Sequence, residues 1–443
     1  MKRILLISYN YYPEPTGIGK YNAEMINWLV RFGYECSVIT AYPYYPFWKV
    51  QEPYSRGRFS FSTEQIGEPE NPKLKIFRCP LYVPLQPTGV SRILLEFSFL
   101  VTAFFRLLLL LPARKFDVVI AVAPSFQVGL LGLLYKKIRR AKLLYHIQDL
   151  QIEAARDLHM IKSQSIINTL LKTEKQILHS SDMVSSISAE MVGKIKKKGA
   201  NRTFLFPNWT NVEQFFPLKN RNVLKKEFGF LETDKIIMYS GAIGEKQGLL
   251  SILHSAAANR KYKNIKFIIC GGGPYKERLV EMASDMGLPN VYFFSLQPLE
   301  RFNQFLNMAD VHLVIQKASA SDLVMPSKLG AILAVGGVAL ITANRDTALY
   351  RLVKEHNIGM VVKAGDQHAF DEGIQSLLKE GHEELRKNAR NYAVKFLSID
   401  HVMGNFETTF KRLWKTDSSL VIDHTVEREL QSHIGEENIT GHN

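Results

Sequence analysis

RILLISYNYYPEPTGIGKYNAEMINWLVRFGYECSVIT, residues 3–40, reads as strand, loop, helix and strand. Arg3–Tyr9 opens it with a short apolar run, Glu35–Thr40 closes it with another, and a helical run from Tyr21 to Arg31 lies between. Two such strands joined through a helix form a parallel βαβ unit, because parallel neighbours need a crossover. The loop entering the helix carries Gly17 and Gly19. Glycines there let a ligand approach the backbone, and a helix N-terminus favours anions. Gly17-Ile18-Gly19 has no third glycine, and the second strand ends at Thr40 without an acidic residue to hold a ribose. The loop is therefore read as a substrate loop rather than a nicotinamide fingerprint, a purely structural turn being the alternative. Met1-Lys2-Arg3 precedes too short an apolar run for a signal peptide, which needs about 7–15 apolar residues.

The same alternation continues outward through the 443 residues. Further strands are expected at Leu74–Arg78, Asp117–Val122, Lys142–Ile147, Asp182–Ile187 and Thr203–Phe206. A second set is expected at Lys235–Ser240, Asn264–Cys270, Asn290–Phe294, Val311–Ile315, Gly337–Ile341 and Gly359–Val362. Strands so continuously apolar belong to parallel sheets covered on both faces. Pro207-Asn208-Trp209-Thr210-Asn211 and Phe216-Pro217 punctuate the chain between the sets. The expected organisation is α/β, with domains at 1–206 and 207–400, a helix at 401–415 that packs back on the first domain, and a polar tail at 416–443.

Charge is uneven. Residues 1–205 hold 28 Lys and Arg against 15 Asp and Glu, so nearly all of the net +14 belongs to the first half. An anionic membrane surface or a phosphorylated ligand suits such a half, while no nucleic-acid module accompanies it. Three scattered cysteines, Cys36, Cys79 and Cys270, have neither metal-site nor disulfide spacing. Ile93–Leu111 has the length of a membrane span, but Glu96 and Arg106 interrupt it. It is read as a buried or membrane-facing helix of the first domain.

Ligands of open α/β sheets bind at the carboxyl ends of strands. His146, Asp149 and Glu153 stand at or just beyond the end of Lys142–Ile147. Gly241 through Gly248 follow another strand, with Lys246 available to a phosphate as a point charge. Gly271-Gly272-Gly273 forms a further strand-to-helix turn. Pro326 and Ser327 suit a helix start, and with Lys328 adjacent and Asp322 just before, they make a diphosphate cradle.

Taken in order, residues 12–21, 42–46, 146–149, 206–209, 240–248, 296–301 and 322–329 resemble the retaining GT-B glycosyltransferases of family four. Within that family the likeness is to bacterial exopolysaccharide and O-antigen enzymes. The resemblance implies two Rossmann-like domains facing a cleft, the second holding a UDP- or GDP-sugar donor and the first receiving the acceptor. It implies catalytic roles for His146, beside the transferred sugar, and for Asp149. Donor binding falls to Gly17, Gly19, Gly241, Lys246, Gly272, Asp322, Pro326, Ser327 and Lys328. Neither a metal nor another cofactor is expected. The implied acceptor is a polyprenyl-diphosphate-linked glycan, met by a peripheral protein at the cytoplasmic face of the plasma membrane, with an anionic membrane surface as partner and no nucleic acid. The family's strand-end arginine is absent, its lysine is displaced to Lys246, and its paired glutamates are missing. The alternatives are a UDP-sugar 2-epimerase on the same architecture or a non-catalytic membrane-surface protein.

Overall fold

Most apolar runs become strands flanked on both sides by other strands, with helices packed on both sheet faces; Thr203–Leu205, Val291–Phe294 and Met360–Val362 lie at sheet edges. In the first half the strands are β1 (Arg3–Ile7), β2 (Glu35–Ala41), β3 (Ser62–Glu68), β4 (Asn71–Cys79), β5 (Val118–Ala123), β6 (Lys142–Ile147), β7 (Met183–Ser186) and β8 (Thr203–Leu205). In the second they are β9 (Lys235–Ser240), β10 (Ile265–Cys270), β11 (Val291–Phe294), β12 (Val311–Val314), β13 (Ala339–Thr342) and β14 (Met360–Val362). The computed structural model describes residues 2–15, 17–68, 71–86, 89–150, 152, 164–316, 327–345, 347–379 and 381–412. The tail 416–443 lies outside these.

The first sheet runs β3-β4-β2-β1-β5-β6-β7-β8 and the second β11-β10-β9-β12-β13-β14. Ile4 pairs with Cys36 on one side and Val118 on the other, so β1 lies inside its sheet and is buried along its whole length. The second sheet is parallel throughout. The first departs from the expected all-parallel arrangement at its edge, where β3 runs antiparallel to β4. Ser-Thr-Glu-Gln-Ile-Gly-Glu has no apolar run to announce it. It is a polar edge strand held in part by Glu64, which pairs at 2.8 Å with the fully buried Arg78 of β4. A polar edge protects a sheet from pairing with other chains.

Helices α1 (Gly17–Arg31), α2 (Gly89–Leu110) and α3 (Val128–Arg139) cover the first sheet, α2 and α3 on one face and α1 on the other. The C-terminal helix Ile399–Lys411 joins α1 in the same core. Trp28 Nε1 donates to Asp400 at 2.8 Å, Tyr34 Oη donates to Glu407 at 2.9 Å, and Phe406 stacks on Phe206 with centroids 4.3 Å apart. Truncating such a buried ring to Ala costs about 3–5 kcal/mol. The chain passes between the sheets twice, side by side: Thr210 N donates to Leu397 O at 2.7 Å, and Thr210 bridges to Ser398.

Leu95, Phe99, Ala103 and Leu107 recur every four residues on α2 and are buried against the sheet. The opposite side leaves Leu94, Phe97, Phe105 and Leu109 more than half exposed. Ser91–Leu110 is long and apolar enough to cross a membrane, yet one side of it belongs to the domain core.

Candidate active site

In the first domain the site is built on a buried acid. Past β1, Asn22 of α1 donates to Ser8 Oγ and Asn10 O, both at 3.0 Å, and Asn10 Nδ2 donates to Glu14 at 2.7 Å. The other Glu14 oxygen accepts the N–H groups of Tyr44 and Tyr45, at 3.1 and 3.0 Å. One carboxylate thus ties the loop after β1 to the loop after β2. Burial pushes the Glu14 carboxyl up to about 7, against the opposing pull of these donors and of Arg78. Gly19 makes room for it, since a Cβ there would stand 2.6 Å from the Glu14 carboxylate. Gly17, the first residue of α1, lies at φ +65° beneath Tyr45.

His146 is the penultimate residue of β6 and is 3% exposed, in the interior of the domain. Its Nδ1 lies 2.9 Å from Ser185 Oγ of the neighbouring strand, and its ring lies 5.0 Å from Phe206. Burial lowers its pKa to about 3, so the imidazole is neutral at ordinary pH and able to offer one donor and one acceptor. Asp149 is exposed on the loop after β6. It acts electrostatically on Tyr9, whose hydroxyl is pushed well up by burial and then by Tyr44, Glu96, Glu14 and Asp149. Glu153 lies outside the described residues.

The second domain interlocks two glycine turns. Gly241 N donates to Cys270 O at 3.0 Å, Ile243 N to Gly272 O at 2.9 Å and Tyr275 N to Ile243 O at 3.2 Å. The contact is backbone on backbone: at Gly271, with φ +147°, a Cβ would come within 1.9 Å of Gly241 O. Gly272 faces open space. Lys276, not singled out in the sequence, donates to Gly271 O at 3.1 Å and Phe294 O at 3.3 Å and anchors this turn.

Over the turn lies Lys328. Its Nζ sits 3.6 Å from the centre of the Tyr239 ring, and 2.9 Å from where a Cβ on Gly241 would be. Burial pulls the amine down to about 7. It makes no ion pair with a described residue, which leaves a desolvated cation beside the start of the helix Ser327–Ala334. Asp322 and Pro326 lie outside the described residues, as do the side chains of Ser327 and Lys246. Lys246 stands in the 3-10 turn Glu245–Gln247, and the next α-helix begins at Leu250. Among the described residues no group of three His, Cys, Asp or Glu could hold a metal.

The far end of Ser327–Ala334 is also organised. Arg390 Nη1 donates to Ala334 O at 2.8 Å, Arg221 Nη2 donates to Val335 O, and Arg386 Nη1 donates to Gly336 O at 3.3 Å. Three guanidiniums therefore meet the carbonyl end, matching the sign of the helix dipole. Their positions in sequence, more than 100 residues apart for Arg221 and its acceptor, gave no signal.

Two doubly wound domains, with glycine turns at strand carboxyl ends and two adjacent chain crossings, define a GT-B glycosyltransferase fold. Residues 16–209 match the family described as glycosyl transferase 4-like domain, and residues 220–396 match glycosyl transferases group 1. A protein of Escherichia coli K12 assigned to colanic acid biosynthesis as the glycosyl transferase WcaI is 39% identical over 415 residues, 91% of this chain and 98% of the relative. The chain belongs to this glycosyltransferase family. Sucrose-phosphate synthase from Thermosynechococcus elongatus has the same fold, with TM-score 0.72, 16% identity and coverage of 94% of this chain and 100% of that one. So does Anabaena HepE in complex with UDP and glucose, with TM-score 0.63, 13% identity and coverage of 93% and 100%.

Proposed function

We propose that this glycosyltransferase moves a sugar, with retention of configuration, from a UDP- or GDP-sugar to a polyprenyl-diphosphate-linked glycan in exopolysaccharide or O-antigen synthesis. The observation that carries the reading is the Lys328 amine, desolvated and without an ion pair among the described residues, above the interlocked glycine turns. Breaking the donor's glycosidic bond leaves negative charge on the departing diphosphate. A preorganised cation and helix N–H groups stabilise that charge at little reorganisation cost. Lys328, Lys246 and the turn at Pro326–Ser327 take this task, without a metal. His146 orients the transferred sugar as a neutral hydrogen-bonding group, and Asp149 works beside it. Gly17 keeps the backbone open where the two substrates meet, and Gly19 contributes by admitting the Glu14 carboxylate that fixes the loop. The pathway assignment draws on the colanic acid relative, and the nucleotide on the bound UDP of HepE.

The acceptor's lipid places the enzyme peripherally at the cytoplasmic membrane face. The exposed apolar side of α2 enters the interface, and the basic first half faces anionic lipid, each well-placed Lys or Arg contributing about 1 kcal/mol.

A panel of UDP- and GDP-sugars tests the donor reading. A ligand of the native state raises stability by about 2.7 kcal/mol at 100 times its dissociation constant, so the true donor shifts the melting temperature and the others do so less. No shift with any of them would overturn it. The anomeric configuration of the product, read by NMR, decides retention. Sedimentation with anionic and neutral vesicles at low and high salt decides the membrane reading.

A further inference from the structure

We propose that Tyr45, together with Tyr12, forms an aromatic platform for a pyranose ring of the acceptor. The proposal rests on the glycosyltransferase reading above and names the chemistry by which the first domain recognises its substrate. A pyranose presents an apolar C–H face, which packs on the electron-rich face of an aromatic ring. Its hydroxyls remain available to the polar groups around that ring.

Exposed tyrosines are common and by themselves mean nothing. These two differ in what holds them. Tyr45 is 38% exposed and Tyr12 61%, but the backbone beneath each is fixed by a charged group that is itself buried. Glu14, 2% exposed, accepts the N–H groups of Tyr44 and Tyr45. Arg78, fully buried, donates from Nη2 to Tyr12 O at 2.7 Å. Trp48 adds an edge contact to the Tyr45 ring, with centroids 6.4 Å apart. Burying two ionisable groups is costly, and here both hold short loops whose outward side is an aromatic ring. Rigid tyrosines supply large contact area at little entropic cost on binding, which is why they dominate recognition surfaces.

Position supplies the rest. The Tyr45 Cε1 atom lies 3.7 Å from where a side chain on Gly17 would begin, an ordinary van der Waals distance, so the ring lies directly over that glycine. Gly17 opens α1 at the carboxyl end of β1, where open α/β sheets receive ligands. Phe97, Phe105 and Leu109 are exposed on α2, the surface suited to lipid.

Saturation-transfer difference NMR with a panel of methyl α- and β-glycopyranosides tests the platform, alongside titration with UDP and with GDP by calorimetry and vesicle sedimentation. Wild-type protein should transfer saturation to the ring C–H protons of at least one glycoside. Tyr45→Ala should reduce the transfer by about fivefold or more, Tyr12→Ala by less, and Tyr45→Phe should retain it, in line with loss of an aromatic anchor. UDP affinity should stay within about twofold of wild type in all three. Equal saturation in Tyr45→Ala, or none from the wild type, would overturn the platform while leaving UDP binding in place. Weakened vesicle binding in Tyr45→Ala with saturation unchanged would overturn it in favour of a lipid contact. Absence of binding of both UDP and GDP to the wild type would remove the donor reading as well, and with it the basis of the proposal.

Discussion

The strand-end loops of the two domains solve the same steric problem with opposite chemistry. In the first domain a glycine leaves room for a side chain, and that side chain is an acid: Gly19 admits Glu14, which ties two loops together. In the second, glycines leave room for backbone, and the charge above them is a lysine amine: Gly241 and Gly271 nest, with Lys328 over the first. The acid is consumed in internal hydrogen bonds, whereas the amine has no ion pair among the described residues. A loop whose charge is spent on itself presents its aromatic surface. A loop whose charge is unspent presents the charge. On the function proposed above, the difference separates a surface for a neutral sugar from a cradle for a diphosphate.

The largest break in this comparison should come from Gly271→Ala. Its Cβ would meet a carbonyl oxygen at 1.9 Å in a positive-φ conformation, and backbone cannot give way as a side chain can. A loss above about 3 kcal/mol is expected by denaturant unfolding. Gly19→Ala meets the Glu14 side chain at 2.6 and 2.8 Å and backbone, Tyr11 O, only at 3.2 Å, and should cost clearly less; equal losses would erase the distinction between the two loops.

His146→Ala should lower kcat on the order of 10²-fold while UDP affinity holds. Turnover within about threefold of the parent would take His146 out of the reaction. Lys328→Ala should do the reverse, weakening UDP about tenfold and uridine hardly at all. Equal weakening of both ligands would mean that the lysine acts through folding.

That amine also carries a pH signature. Its folded pKa is depressed from 10.5 to about 7, so the unfolded chain holds the extra proton between those values. Its contribution makes stability rise with pH across that window, and UDP affinity should fall as pH passes upward through 7. Lys328→Met should flatten both.

Smallest is the corresponding effect at Glu14. Its carboxyl is raised from 4.5 to about 7, so the folded protein holds the extra proton and stability falls as pH rises between the two. Asn10, the amides of Tyr44 and Tyr45, Arg78 and the hydroxyls of Tyr9 and Tyr44 are the groups facing it. Glu14→Gln should remove that slope, and thermal melts at pH 5 and pH 7.5 would measure it. An unchanged slope would assign the titration elsewhere.

The apolar strands were legible because burial on both faces writes itself into consecutive residues: β6 and β9 have the same limits in sequence and structure. β3 was not, since its pairing depends on a partner and on Glu64 meeting Arg78, 14 residues away. The glycines of 241–248 and 271–273 were legible as turns, but their steric reason is visible only when the two turns meet. Glu14 stood in view between two prolines among aromatics, an unusual place for an acid. The signal was there, but its partners lie on another loop. Lys328 was singled out for its place at a helix start, whereas its bed on Tyr239 joins residues 89 positions apart and could not be read from either.

The arginines at the carbonyl end of Ser327–Ala334 have a mechanical consequence. Arg390 also grips Val212 O and Phe215 O, in the segment that leaves the first domain. Its own helix, Glu383–Tyr392, runs through the π-helical turn Ala393–Leu397 into Ile399–Lys411, which is anchored in the first domain's core. The helix Ser327–Ala334 is thus clamped at its carbonyl end to the chain crossings, with Lys328 at the opposite end on its Tyr239 bed. The seat of the amine and the two crossings are therefore held by one continuous set of contacts.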